Sequence, residues 1–157
     1  MLKQKIYQDQ IQALKKHDQE KLSILRYILA QIKNQEIEKK SSQSKGGLDL
    51  TDDETISVLR KNVKELNESI ESFKKGGRQD LVLEYQKQLQ VVSSYLPKEL
   101  SDEELEQEIE KIIVEYNKSL PAGRQNPKAL IGIAVGKLKS KADSARIVRM
   151  LQSISNL

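Results

Sequence analysis

Apolar residues in this chain recur at steps of three and four, the period of an α-helix. Ile56, Leu59, Val63, Leu66, Ile70 and Phe73 are spaced 3, 4, 3, 4 and 3 apart, which puts all six on one seam of a long helix. Thr51, with Glu54 three positions later, has the form of a capping box that satisfies the first free N–H groups. Lys74-Lys75-Gly76-Gly77 closes the segment, with cations near the negative end of the helix dipole and a glycine free to take a left-handed turn. A further helix is expected from about Arg78 to Tyr95, with Leu81, Tyr85, Leu89, Val92 and Leu96 inward. So short a turn folds the two helices into an antiparallel hairpin.

The segments on either side follow the same period. A first helix is predicted from Leu2 to Lys16 with Ile6, Tyr7, Ile11 and Leu14 inward, and Asp18 is placed to cap a second from Gln19 to Lys40, lined by Leu22, Leu25, Leu29 and Ile32. The end of that helix, Lys33 to Lys40, is polar except for Ile37 and is expected to project from the bundle; Ser41 to Leu50 reads as a mobile loop. Pro97 marks the end of the fourth helix, and Lys98-Glu99-Leu100 reads as a linker. Ser101 then caps a helix that opens with Asp102, Glu103 and Glu104 and buries Leu105, Ile109, Ile112, Ile113 and Tyr116. After a loop at Pro121 to Gln125, Asn126-Pro127 starts a helix to about Lys139 with Leu130, Ile131, Ala134, Val135 and Leu138 inward. Asp143 caps the last helix, built on Ile147, Val148, Leu151 and Ile154. With no strand alternation and no internal repeat, the expected fold is all-α: an N-terminal helical bundle of hairpins over 1–96, then a small three-helix domain over 97–157.

Composition narrows the chemistry. The chain has no Cys and one His, His17, which removes thiol nucleophiles, disulfides and the usual zinc ligand sets. It has no Trp and a single Phe, so the core is aliphatic and stacking platforms for single-stranded nucleic acid are scarce. No apolar run reaches the ~18 residues of a membrane span, and the opening Met1-Leu2-Lys3-Gln4-Lys5 lacks the apolar core of a secretory signal. A cytoplasmic protein without membrane association is expected. Gly76-Gly77 is a turn between helices and not a phosphate loop. The acids Asp52-Asp53-Glu54 and Asp102-Glu103-Glu104 sit in first turns, where they offset the helix dipole. His17 reads as a solvated residue near a helix end. No catalytic residue, cofactor site or metal site is expected, and the chain is not expected to be catalytic alone.

Charge is distributed unevenly. Residues 121–157 hold seven cations and one acid, a net +6, whereas residues 97–120 hold eight acids and three lysines, a net −5. Lys128, Lys137, Lys139, Lys141, Arg146 and Arg149 are the candidate contacts for an anionic polymer. Gly132 and Gly136 stand one turn apart, and each costs a helix ~1 kcal/mol relative to alanine, which suggests close approach of a neighbouring helix or of a nucleic-acid backbone. The turn at Ala142-Asp143 leads into a helix N-terminus whose N–H groups could hold a phosphate, unless Asp143 fills the cap itself. The acidic helix is the competing partner for the whole basic block.

Several strings resemble the YqeY family. They are Leu25-Arg26 with Ala30-Gln31-Ile32-Lys33-Asn34 and Glu36-Ile37-Glu38, then Gly77-Arg78-Gln79-Asp80-Leu81, and Tyr95-Leu96-Pro97 with Leu100-Ser101 and Glu104-Leu105. The spaced residues Gly132, Val135, Ala142-Asp143, Ile147-Val148 and Leu151 also resemble the tail domain of GatB, a subunit of the aspartyl/glutamyl-tRNA amidotransferase. The first resemblance covers nearly the whole chain and the second only residues 97–157. Together they imply a tRNA or aminoacyl-tRNA partner for the C-terminal module. The alternative is a protein–protein adaptor for a tRNA amidotransferase or synthetase, with the seam from Ile56 to Phe73 and the projecting second helix as a partner or dimer surface. The resemblances also link the chain to glutamine-dependent carbon–nitrogen ligation. Ser140 and Ser144 stand where the family pattern implies glycine.

Overall fold

The computed structural model describes residues 1–42, 49–119 and 126–155. Among these the fold is all-α: α1 (Leu2–Lys15), α2 (Gln19–Ser42), α3 (Asp52–Lys75), α4 (Gln79–Ser93), α5 (Asp102–Ser119), α6 (Pro127–Leu138) and α7 (Ser144–Ser155). Chain contacts divide it into two compact units, Met1–Leu96 and Pro97–Leu157. The expected loop at 121–125 and most of that at 41–50 lie outside the described residues.

In the first unit, α3 begins at the capping box: the Glu54 N–H donates to Thr51 Oγ1 at 3.2 Å and the Thr51 N–H donates to Glu54 Oε2 at 2.8 Å. The seam of α3 is core, with Leu59, Leu66 and Ile70 buried, so it is not a partner surface. Leu50, expected in a mobile loop, is 4% exposed and packs with Leu25, Ile28 and Leu59 in the same cluster. The end of α2 does not project freely either. Glu36 accepts from Lys3 at 2.6 Å, and Lys39 pairs with Glu54 at 2.8 Å.

The face of α1 differs from expectation. Ile6 and Ala13 are buried, while Tyr7, Ile11 and Leu14 are exposed. Both stripes fit the helical period, and the one that meets α2 is the narrower, built around a small alanine. On α4, Val82 is buried where the pattern selected its neighbour Leu81. Tyr95, after the end of α4, donates its hydroxyl to Asp9 Oδ2 at 2.5 Å and so ties α1 to the far end of the unit. Burial, reinforced by that hydrogen bond, pushes the Tyr95 phenol above its ordinary pKa.

The two hairpins of this unit turn alike. At the α3–α4 joint, the Arg78 N–H reaches the Phe73 carbonyl at 2.9 Å and the Gly77 N–H the Lys74 carbonyl at 3.2 Å, with Gly77 at φ 69°. At the α1–α2 joint, Asp18 bonds Ala13 at 3.0 Å and His17 bonds Leu14 at 3.2 Å, with His17 at φ 56°. This is the Schellman arrangement, in which glycine takes the left-handed position without a Cβ penalty. His17 carries that penalty. His17→Gly should therefore stabilise the chain by about 1 kcal/mol, raising the thermal midpoint by roughly 5 °C. Thermal unfolding followed by circular dichroism checks this; an unchanged or lower midpoint would mean that the imidazole compensates for the strain.

The second unit packs Leu105, Ile109 and Ile112 of α5 against Leu130, Ala134 and Leu138 of α6 and Ile147 and Leu151 of α7. Its helix starts are closed locally. Ser101 and Glu104 form a reciprocal pair, the Glu104 N–H donating at 3.2 Å and the Ser101 N–H at 2.9 Å. The Asn126 side chain accepts from the Lys128 N–H at 3.0 Å, with Pro127 in the first turn. Tyr116 Oη bonds both the carbonyl and the N–H of Asn126, each at 3.2 Å, joining the end of α5 to the start of α6.

Candidate nucleic-acid interface

α6 buries one side and leaves the other bare. At 100° per residue, Ala129, Gly132, Ile133 and Gly136 fall on a single stripe, and all four are exposed. Helical geometry places Lys137 along one border of this stripe and Lys128 and Lys139 along the other, and all three lysines are exposed. A Cβ added at Gly132 or Gly136 would meet nothing within 4 Å. Among the described residues no neighbouring helix comes close enough to account for the glycines, contrary to expectation. What the two positions do is keep the α6 backbone uncovered on its outer side.

The six candidate cations occupy three different situations. Arg146 is a structural clamp. Its guanidinium donates to Glu99 Oε2 at 3.0 Å, to Asp102 Oδ1 at 2.7 Å and to the Leu100 carbonyl at 2.9 Å, with 28% of its side chain exposed. It fastens α7 to the start of α5, and the Asp102 hydrogen bond raises its pKa above the ordinary value. Lys137 and Lys141 reach the acidic helix from the surface, Lys137 to Glu115 at 2.7 Å and Lys141 to Glu108 at 3.6 Å. Lys111, with Lys141 behind it, holds the Glu108 carboxyl below its usual range, and Lys137 does the same to Glu115. Lys128, Lys139 and Arg149 have no acidic partner among the described residues; Arg149 Nε approaches only the Ala145 carbonyl, at 3.4 Å.

The turn after α6 is closed to anions. Ala142 is 1% exposed and belongs to the core. Asp143 occupies the N-cap of α7, accepting from the Ala145 N–H at 2.9 Å and the Arg146 N–H at 3.3 Å. The expected phosphate seat at Ala142-Asp143 is thus filled by a carboxylate of the chain itself. Ser140 is 5% exposed, and the Lys141 carbonyl accepts from the Leu100 N–H at 3.1 Å, so this turn serves to join α6 to the linker.

Part of the charge asymmetry is therefore neutralised within the unit. Glu99, Asp102, Glu108 and Glu115 each meet a cation of the basic segment. Among the described residues of the basic segment, the cations left without an acid are Lys128 and Lys139 on one border of the α6 face, and Arg149. Among the described residues no group of three or more acidic or imidazole side chains is arranged to hold a metal ion, and no helix is long and apolar enough to cross a membrane. The family model described as Yqey-like protein matches residues 3–154. No curated protein matches the chain.

Proposed function

The chain belongs to the YqeY family, and from that premise we propose that it is an RNA-binding accessory protein for tRNA or aminoacyl-tRNA. The contact is made by the outer face of α6. The observation that carries this reading is the bare Ala129–Gly132–Ile133–Gly136 stripe with Lys128, Lys137 and Lys139 on its borders. Phosphates need cations at the sides of a surface and no bulk in its middle, and small residues let a sugar–phosphate backbone come close. With few aromatics available, recognition rests on helix shape and backbone charge. The pairs at Lys137 and Lys141 do not bar this contact, because exposed ion pairs contribute only ~0–1 kcal/mol each and a phosphate can replace the carboxylate. The sequence resemblance to the GatB tail supports tRNA as the RNA. In an amidotransferase setting this chain would supply binding, and the ligation chemistry would belong to its partner.

The test is a tRNA gel shift across a salt series. Binding at low salt, with log affinity falling against log salt at a slope of about −3, is expected for a handful of phosphate contacts. Absence of any shift at low salt would sink the reading. The exposed Tyr7, Ile11 and Leu14 on α1 favour a second reading, an adaptor. Co-purification of a synthetase or amidotransferase after nuclease treatment would support it over RNA binding.

A further inference from the structure

The N-terminal unit contains a groove that the RNA reading leaves unused. It opens between α2, α3 and α4 and has a volume of about 430 Å³, within the range of small-molecule sites. Tyr27 of α2, Asn62, Glu65 and Ser69 of α3, and Tyr85 and Gln88 of α4 line it.

Asn62 is the informative residue. It lies on the inner side of α3 between Leu59 and Leu66 and is only 5% exposed. Among the described residues its side-chain amide makes no hydrogen bond. Among the described residues no fully enclosed side-chain nitrogen or oxygen lacks a partner, so the amide keeps a narrow opening, and Asn62 lines the groove. A polar group at this inner position gains nothing for the fold, where a leucine of similar shape would continue the seam on either side of it. No described residue uses the amide. Its open approach is from the groove, where a bound molecule could pair with it.

The lining defines what that molecule offers. The Asn62 and Gln88 amides each present a donor beside an acceptor, a pattern that matches the edge of a heterocyclic base. Tyr27 and Tyr85 supply flat apolar faces, and Tyr85 is steadied by an edge-on contact with Phe73 at 4.9 Å between ring centroids. Among the described residues Glu65 is the one charged group in the lining, and when ionised it only accepts hydrogen bonds. Its ion pair with Lys61 is long, at 4.0 Å. With no cation in the lining, phosphates and carboxylates have no partner there. A planar heterocycle with an exocyclic amino group fits, its amino group donating to Glu65 and its adjacent ring edge meeting an amide.

We propose that this groove binds an amino-bearing nucleobase, presented as a free nucleoside or as an unpaired base of an RNA chain. It lies in the other unit from the α6 face, so it stands or falls independently of the contact proposed there.

The experiment is amide-resolved NMR of the full chain titrated with millimolar cytidine and, separately, uridine, which lacks the amino group. Cytidine should perturb the amides around Asn62, Ser69 and Gln88, and uridine should act at least about fivefold more weakly. Asn62→Leu should abolish the cytidine response while keeping the helical circular dichroism. Glu65→Gln, on an exposed position that the fold does not need, should erase the preference for cytidine. A short oligocytidylate that binds more tightly than cytidine identifies an RNA base as the source; equal or weaker binding identifies the free nucleoside. No perturbation of these amides by cytidine, an equal response to cytidine and uridine, or a response that survives Asn62→Leu overturns the proposal.

Discussion

Arg146→Met is expected to destabilise the C-terminal unit by about 2 kcal/mol and to leave RNA affinity close to that of the unaltered chain. The side chain joins three acceptors on the segment before and at the start of α5. Hydrogen bonds to charged groups contribute roughly 1.5–3 kcal/mol when well shielded. Glu99 and Asp102 are 41% and 79% exposed and rehydrate readily once the guanidinium is gone, which keeps the total near the lower end. The carbonyl of Leu100 loses a donor in a part-buried place. Methionine keeps most of the aliphatic packing, so the change isolates the polar clamp. In a unit this small, 2 kcal/mol is a large share of the total stability, and the midpoint should fall by about 10 °C. Hydrogen exchange read at the amides of α7 locates the loss. If instead stability holds and RNA affinity drops, Arg146 is a contact after all and the clamp is incidental.

Arg146 also shows where sequence reasoning stops. Helical period sets it off the apolar stripe of α7 but does not show that it turns onto the start of α5, whereas the caps at Thr51, Ser101 and Asn126 are legible, because each is a matter of three or four neighbouring residues. The left-handed turn at Gly77 is legible for the same reason. What lies beyond local pattern is the choice between equivalent stripes and between rival partners. Tyr7, Ile11 and Leu14 follow the helical period as well as Ile6 and Ala13 do, and only the packing of α2 selects the second pair. The acids of 97–120 and the cations of 121–157 could meet each other or be displayed separately, and helix period says nothing about which carboxylate a given lysine reaches. The glycines of α6 carry a legible cost, but that their outer side is empty is a tertiary fact. Asn62 stands three residues after Leu59 and four before Leu66, a polar residue at helical spacing within an apolar run; the spacing is legible, but its burial is a tertiary fact.

The second large effect concerns the acids that hold Lys137 on the α6 face and Lys141 just beyond the end of α6. Replacing Glu108 and Glu115 by glutamine should raise tRNA affinity about tenfold at low salt and steepen the salt slope by one to two. Each carboxylate now holds a lysine, Glu115 holding Lys137 at 2.7 Å and Glu108 holding Lys141 at 3.6 Å. Removing the charge frees the lysine for a phosphate and takes away repulsion of the same phosphate. The pairs are exposed, so the fold loses little. Acid should have the same effect on the unaltered chain. Both carboxyls sit below their ordinary value of 4.5 because of the lysines beside them. They stay ionised until the pH falls through that lowered value, and protonation there releases the lysines. Affinity should therefore rise as pH drops below 4.5, and the double glutamine variant should lack this component. Reversing Lys128, Lys137 and Lys139 to glutamate should act in the opposite direction, lowering affinity on the order of 100-fold and flattening the slope by about three. Fluorescence anisotropy with labelled tRNA measures all three quantities. Should the glutamine variant bind no better while the glutamate variant binds no worse, the α6 face is not the contact, and the pairing with α5 alone accounts for the basic segment.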